Sequence, residues 1–145
     1  MASDLKIEID GSRLNVRVGA ILRYQNNIVI EVAQGRNSVI PGGRIKINEH
    51  SSDALIREIK EEMNFNLNKN KLTLLKAFEN FFVMDIPYHE IYFLYEYNLS
   101  KEEFEKISKI GTNQDNNTTQ FIFIQKTELE KYNVLPKELY KFINN

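Results

Sequence analysis

The order of elements that the amino-acid sequence predicts is that of an α/β fold, in which helices cover the faces of a mixed β-sheet. Apolar and polar residues alternate in several short segments, and a period of two is typical of strands. Residues 52–63 instead collect their apolar side chains along one stripe, as in an amphipathic helix. A last amphipathic helix begins at Pro136. Strands on both sides of a central helix therefore predict one sheet with helices on its faces.

The N-terminal part of the chain is predicted to form three strands joined by tight turns. Leu5, Ile7 and Ile9 alternate with polar residues, so one face of the first strand is apolar. Asp-Gly and Asn-Asn dipeptides are typical of turns. The expected strands are residues 5–9, 14–23 and 28–32, with turns at Asp10-Gly11 and Asn26-Asn27.

The C-terminal half is predicted to contain a long hairpin followed by shorter elements. Residues 72–85 and 88–98 are both rich in strand-forming residues and are separated by Pro87. Residues 111–120, GTNQDNNTTQ, have the composition of a mobile surface loop. The other expected elements are a helix capped by Ser100, a strand at 121–124, a helical turn at 127–132 and the final helix from Pro136.

The composition is typical of a soluble globular protein, and we predict one domain over residues 1–145. Apolar residues make up 42% and charged residues 27% of the chain. The net charge of −1 provides no general basic surface, so nucleic acid is not an expected partner. No apolar run reaches membrane-spanning length, so no membrane partner is expected. The chain has no cysteine, so the expected compartment is the reducing cytoplasm. A homodimer is possible.

One segment, Pro41–Phe65, carries the residues on which the chemistry depends. It begins with a Pro-Gly-Gly loop and continues into the helix that carries Arg57, Glu58, Glu61 and Glu62. At about 100° per residue, the three glutamates fall within one arc of the helix. Three neighbouring carboxylates repel one another, and one arginine does not neutralise them. A divalent cation would neutralise the three carboxylates. The alternative interpretation is that they form an acidic helix face exposed to water.

The spacing of these residues matches a known motif. The pattern G-x5-E-x7-R-E-U-x-E-E, in which U is a bulky apolar residue, is formed by Gly43, Glu49, Arg57, Glu58, Glu61 and Glu62. In this the chain resembles the Nudix hydrolases, whose box continues with x-G-U. The resemblance in motif covers about 25 residues, and the order of strands extends it loosely over almost the whole chain.

Two asparagines stand where relatives have glycine. Asn64 replaces the late glycine of the box, and Asn48 replaces a glycine that many relatives have before the first glutamate. After glycine, asparagine tolerates a left-handed backbone best. Neither change removes a carboxylate, so neither argues against catalysis. We expect Asn64 to end the helix in this conformation, and Ser51 or Ser52 to cap its beginning.

The resemblance implies an α/β/α sandwich and an enzyme that hydrolyses a nucleoside diphosphate linked to another moiety. It also implies a small-molecule nucleotide-type substrate and Mg²⁺ as the cofactor, with Mn²⁺ as the alternative; oxygen ligands without sulfur suit the same cations. By position, Arg57 would orient the glutamates, and Glu49 would steady the junction of loop and helix. Carried over in the same way, the metal ligands are Glu58, Glu61, Glu62 and the backbone carbonyl of Gly43.

Several residues outside the charged pattern are candidates for substrate contacts. Arg44 and Arg36, on the loop before the helix, could bind phosphate oxygens. Glu90, on a later strand, is the first candidate for an additional acid near substrate and metals. Further candidates are the acids Glu79 and Asp115, and the aromatic residues Phe81, Phe82, Tyr88 and Tyr92, which could stack on a base.

An alternative to catalysis is a binding module that keeps the Nudix fold, senses a nucleotide or serves a partner protein, and has lost turnover. The complete set of glutamates argues against this loss. A decapping-type activity on RNA would require a basic stripe, which the sequence lacks. The substrate is not readable from the motif: oxidised nucleoside triphosphates, dinucleoside polyphosphates, ADP-ribose and nucleotide sugars all stay open.

Overall fold

The computed structural model describes residues 2–35 and 37–144, and its elements follow the predicted order. No helix in these two ranges is both long and apolar enough to cross a membrane. The strands are β1 (Lys6–Ile9), β2 (Ser12–Tyr24), β3 (Asn27–Val32), β4 (Ser38–Val39), β5 (Gly42–Arg44), β6 (Thr73–Val83), β7 (Pro87–Asn98), β8 (Gln120–Gln125) and β9 (Val134–Leu135). The α-helices are α1 (Ser51–Met63), α2 (Lys101–Ser108) and α3 (Tyr140–Ile143), with 3₁₀ turns at Lys69–Lys71, Lys126–Glu128 and Lys137–Leu139.

The strands form one mixed sheet, as predicted for an α/β fold. Its central path runs in the order β6, β7, β2, β3, β4 and β9. β7 lies parallel to β2, with Arg13 opposite Tyr88 at one end and Arg23 opposite Asn98 at the other. β6 and β7 form the expected antiparallel hairpin. The long parallel pair makes β2 the strand from which the rest of the sheet extends.

β2 and β3 are hydrogen-bonded only near their shared turn, where Arg23 and Tyr24 pair with β3. Beyond this point β5 pairs with β2, and β4 pairs with β3. The segment from Ser38 to Arg44 therefore connects two diverging strands, and the backbone N–H of Ala20 donates to the carbonyl of Pro41 at 3.0 Å. This arrangement holds the Pro-Gly-Gly loop next to the start of α1.

Alternate residues of β2 enter two hydrophobic clusters, one on each face of the sheet. Val18 packs in the cluster that contains the buried stripe of α1, formed by Ala54, Leu55, Ile59 and Met63. Ile21 packs in the other cluster, with Leu139 and Ile143 from the C-terminal helical segment. The sheet is thus covered on both faces, which confirms the α/β/α arrangement that the resemblance implied.

The prediction for the N-terminal cap of α1 is wrong. The helix begins at Ser51 after His50, and no side chain at the cap position bonds to the helix. The hydroxyl of Ser51 instead lies 2.7 Å from the hydroxyl of Tyr95 on the sheet. A side chain that hydrogen-bonds across to β7 is no longer available to cap its own helix.

The prediction for the C-terminal end of α1 is confirmed. Asn64 has φ 50° and ψ 38°, which is the left-handed conformation, and its N–H donates to the carbonyl of Lys60 at 3.0 Å. Lys60 Nζ also donates to Asn64 Oδ1 at 2.8 Å. Asn48 has φ 64° as well. Both asparagines therefore adopt the left-handed backbone that glycine adopts without strain.

We expect Asn64→Val to destabilise the protein by about 1–2 kcal/mol, because a β-branched residue is strained in this conformation. Asn64→Gly should change stability little, since glycine adopts the same angles freely. Thermal and urea unfolding of the two variants would measure the difference. Equal stabilities for the valine and glycine variants would contradict a requirement for the left-handed backbone.

Candidate active site

The site is organised around the guanidinium group of Arg57. Its Nε and Nη2 donate to the two carboxylate oxygens of Glu49 at 2.8 and 2.9 Å. Its Nη1 donates to Glu58 Oε1 at 2.7 Å, and Nη2 also donates to the backbone carbonyl of Arg44 at 3.0 Å. Bidentate pairing with Arg57 lowers the pKa of the Glu49 carboxyl. One arginine thus ties α1 to Glu49 and to the loop before it.

Glu58 packs directly against the backbone of Gly43. A Cβ atom added at Gly43 would lie 2.3 Å from the carboxyl carbon of Glu58, so only glycine allows β5 to approach α1 this closely. Burial raises the pKa of Glu58, and the ion pair with Arg57 opposes this rise. The box glycine therefore leaves room for a glutamate that is half withdrawn from water.

Glu61 is the most accessible of the three box glutamates. Its side chain is 41% exposed, and Arg57 Nη1 lies 3.4 Å from both of its oxygens. At this distance the pairing is weak. The Glu61 carboxylate is therefore free to accept another partner without the loss of a strong bond.

Glu62 turns away from Arg57 and is 8% exposed. Its Oε2 accepts a hydrogen bond from Asn113 Nδ2 at 3.1 Å. Its Oε1 is buried and has no hydrogen-bond partner among the described residues. Burial, followed by the charges of Glu31 and Glu58, raises the pKa of Glu62 to about 8. A buried carboxylate oxygen without a donor is costly unless a proton or a cation satisfies it.

The neighbours of Glu62 come from a loop that the sequence presented as a mobile surface segment. That expectation is wrong for Asn113, which is 1% exposed. Asn113 Oδ1 accepts the backbone N–H groups of Asp115 and Asn116 at 2.8 and 3.0 Å, and the N–H of Gln114 donates to the carbonyl of Glu62 at 2.8 Å. The asparagine-rich composition that suggested mobility is used here for local hydrogen bonds.

Glu31 is a second buried acid at this place and was not singled out in the sequence. Its Oε2 accepts hydrogen bonds from Asn113 Nδ2 at 2.8 Å and from the Thr119 hydroxyl at 2.6 Å. Asn113 thus donates from one nitrogen to both Glu31 and Glu62. The available signal was an acid inside the apolar strand NIVIEV, where a charged residue requires a reason.

Arg17 is another functional candidate that sequence reasoning missed, although it interrupts an apolar strand. It lies on β2 between Arg44 of β5 and Tyr92 of β7. In the described part of the chain it forms no ion pair within 4.0 Å. Burial acts to lower the pKa of Arg17, but the charges of neighbouring groups, among them Glu90 and Glu62, raise it overall. Its positive charge is therefore close to several acids without being committed to one.

The structure places the predicted substrate residues in a separate network. Arg44 Nε donates to Asn15 Oδ1 at 2.6 Å, and Asn15 Nδ2 donates to Glu90 Oε2 at 2.7 Å. Asn80 Nδ2 lies 3.3 Å from Glu90 Oε1. Both oxygens of the buried Glu90 are thus occupied by amides rather than by groups of the box. Arg36, the other predicted phosphate ligand, lies outside the described residues.

The remaining candidates lie on the β6–β7 hairpin and in the 111–120 loop. Glu79 is exposed, 3.6 Å from His89, and Asp115 is exposed as well. Phe82 stacks on Tyr88 and Tyr92 stacks on Phe78, with ring centroids 4.8 and 5.1 Å apart. Phe81 is 66% exposed. Phe81, Phe82 and Tyr88 line a shallow groove with Ser12, Val83, Pro87 and His89.

The donors at the site suit a divalent cation. In residues 2–35 and 37–144 no three acidic or histidine side chains lie close enough together to form a complete metal site. Magnesium, however, is usually held by one or two carboxylates and completed by water and substrate phosphates. The buried Glu62 Oε1 has no hydrogen-bond partner among the described residues, and burial raises the pKa values of Glu58 and Glu62, so a cation would stabilise both carboxylates. The residues present therefore fit such a cation.

Comparison with known proteins decides the family. A family model described as the NUDIX domain matches residues 13–143, which is most of the chain. The chain belongs to the Nudix family. This Nudix protein is therefore a hydrolase of pyrophosphate bonds, and its family acts in general on nucleoside diphosphates linked to another group. Nudix enzymes generally use divalent metals.

Solved structures similar to this Nudix protein share its fold at low sequence identity. A MutT protein from Methanosarcina mazei is 12% identical with a TM-score of 0.62, and the match covers 94% of each chain. An Ap4A hydrolase from C. elegans is 16% identical with a TM-score of 0.57, covering 90% of this chain and 94% of its own. A MutT structure from work on Aliivibrio salmonicida and Vibrio cholerae is 15% identical with a TM-score of 0.55, covering 90% and 94%. The search of curated proteins found no match.

The raised pKa of Glu62 predicts a pH effect on stability in the absence of metal. In the unfolded chain this carboxyl ionises near the ordinary glutamate pKa of 4.5, whereas in the folded protein it ionises near 8. Between these values the unfolded state loses its proton first, so the free energy of unfolding falls as pH rises from about 5 to 8. We expect Glu62→Gln to remove this component, and its melting temperature relative to the unaltered protein should rise by at least about 3 °C from pH 5 to pH 8.

Melting curves in a metal chelator at both pH values would test this, with Glu96→Gln as the control, because Glu96 is paired with Arg23 away from the site. A constant difference between the Glu62→Gln and unaltered proteins at both pH values would refute the burial of an acid with a raised pKa.

Proposed function

We propose that this Nudix hydrolase cleaves the pyrophosphate linkage of a nucleoside diphosphate derivative with Mg²⁺ as its cofactor, and that residues 1–145 form one catalytic domain. The observation that carries the proposal is the orientation of Glu58 by Arg57, next to a buried oxygen of Glu62 that lacks a partner. The metal-binding groups are then Glu58, Glu61 and Glu62, together with the Gly43 carbonyl. When bound, the cation offsets the charge of the diphosphate and lowers the pKa of a water molecule.

The chain itself supplies the geometry of this site. Arg57 holds Glu58 in place while its pairing with Glu49 and with the Arg44 carbonyl keeps the loop against α1. Glu61 keeps only the long contact with Arg57, so its carboxylate is available to the cation. Glu58, which is half-buried and has a raised pKa, is suited to hold a proton taken from water.

Arg17 is the best candidate in the described structure to bind a phosphate of the substrate. It forms no ion pair there, while its charge is close enough to Glu58 and Glu62 to affect their pKa values. A guanidinium group that has no ion pair and lies beside a cation site is suited to a phosphate oxygen, because it can bind bidentately. Arg44, in contrast, is occupied by Asn15, so its predicted contact with phosphate would require a change of partner.

The substrate is proposed to be a small nucleotide. The similar structures include proteins named MutT and an Ap4A hydrolase, and the net charge of −1 provides no extended surface for a nucleic acid. The alternative of a catalytically silent nucleotide-sensing or protein-binding module has no observation in its favour, because all box glutamates and Arg57 are present and arranged together.

The decisive experiment is a hydrolysis screen of a nucleotide panel with Mg²⁺, in which the release of nucleoside monophosphates and of pyrophosphate is measured. We expect turnover with at least one substrate, and a loss of at least about 100-fold in kcat for Glu58→Gln and for Glu61→Gln. Circular dichroism would show that both variants keep the fold. Equal turnover with and without a chelator, or undiminished activity in both variants, would contradict the proposal.

A second test concerns Arg17. Arg17→Met should raise KM for the substrate identified in the screen by at least about tenfold, because a charge-assisted bond to phosphate is worth roughly 1.5–3 kcal/mol. The matched control is Arg13→Met on the same strand, where the arginine is paired with Glu8 at 2.8 Å. If both variants shift KM equally, Arg17 has no specific role in substrate binding.

A further inference from the structure

Two buried carboxylates outside the ion pairs of Arg57 face one amide group. Asn113 Nδ2 donates to Glu31 Oε2 at 2.8 Å and to Glu62 Oε2 at 3.1 Å. The orientation of this amide is fixed, because Asn113 Oδ1 accepts the N–H groups of Asp115 and Asn116. Asn113 therefore acts as a clamp that holds one oxygen of each acid.

The clamp leaves the second oxygen of each acid without a donor. Glu62 Oε1 is buried and has no partner, and Glu31 Oε1 accepts no hydrogen bond from the residues that the structure describes. Over the same residues, neither Glu31 nor Glu62 has a basic side chain within ion-pair distance. Two buried carboxyl groups with free oxygens therefore lie next to each other without an ion pair, and a cation between them would satisfy both.

Anchoring of the loop at residues 111–120 does not require Glu31 to be charged. The donors on Glu31 are the amide of Asn113 and the hydroxyl of Thr119, and the carbonyl oxygen of a glutamine would accept both bonds at similar geometry. A glutamine would also avoid repulsion with Glu62. The loop thus requires only a hydrogen-bond acceptor at this position, and a bound cation would account for the choice of a carboxylate.

We propose that Glu31 is a ligand of the divalent cation, together with Glu62, although it lies on β3 and outside the sequence motif. This inference rests on the proposed function, because it adds one ligand to the metal site of that function. Asn113 then has a positioning role: it turns the free oxygens of Glu31 and Glu62 toward the ion. The remaining positions on the cation are left to water, substrate oxygens and the other glutamates of α1.

The test is a titration of the metal-free protein with Mn²⁺ alone, in which free Mn²⁺ is measured by electron paramagnetic resonance. We expect Glu31→Gln and Glu62→Gln each to weaken Mn²⁺ binding at least about tenfold, as loss of metal-site groups does. Two controls should stay within about threefold of the unaltered protein. Thr119→Val removes a donor to Glu31 but keeps its charge, and Glu96→Gln removes an acid that is paired with Arg23 away from the site.

The result that would overturn the inference is Mn²⁺ affinity in Glu31→Gln equal to that in Thr119→Val, while Glu62→Gln binds weakly. In that case Glu31 only anchors the loop, and the proposed function stands. If Glu58→Gln and Glu62→Gln also bind Mn²⁺ as the unaltered protein does, the metal site of the proposed function fails with it.

A measurement on the unaltered protein covers the case in which Glu31→Gln does not fold. Crystals soaked in Mn²⁺ should show anomalous density within coordination distance of both Glu31 and Glu62. Density that contacts Glu62 and Glu58 but not Glu31 would overturn the assignment.

Discussion

The fork of hydrogen bonds from Arg57 is the interaction on which the rest of the site depends. A single guanidinium group holds Glu49, Glu58 and the Arg44 carbonyl, and these groups belong to the loop, the helix and β5. Its donors lie in one plane and at fixed angles, so the three partners are held at fixed angles as well. Lysine carries the same charge but has no such geometry. Glu58 also packs against Gly43, where an added Cβ would lie 2.3 Å from the carboxyl carbon of Glu58.

The same helix turns its acids toward two different environments. Glu58 and Glu62 are four residues apart and share a face of α1, yet Glu58 lies against Arg57, whereas Glu62 reaches Glu31 and Asn113. The first acid has a cation as a partner and the second has only an amide. Burial, followed by the charges of Glu31 and Glu58, raises the pKa of Glu62 to about 8. The carboxylate oxygen that lacks a partner among the described residues thus belongs to Glu62 and not to the acid that Arg57 holds.

Asparagine side chains and backbones account for much of the local geometry around these acids. Asn48 and Asn64 adopt left-handed conformations before and after α1, and the helix ends at Asn64. Asn113 bonds through both ends of its amide, to the loop backbone on one side and to two carboxylates on the other. In the separate network of the predicted substrate residues, Asn15 connects Arg44 to Glu90 in the same way. An amide can do this because it is donor and acceptor at once.

The sequence by itself determined the class of fold, the extent of α1 and the identity of the box residues, because these depend on local periodicity and spacing along one segment. The left-handed end of the helix at Asn64 was predictable for the same reason. Only the tertiary structure decided which acids meet. Glu31 and Asn113 are 82 residues apart and touch, and Glu90, which the sequence favoured as the additional acid, is held by Asn15 and Asn80 instead. These contacts depend on strand register and on the divergence of β2 from β3. Both are non-local properties that produce no periodic pattern in the sequence.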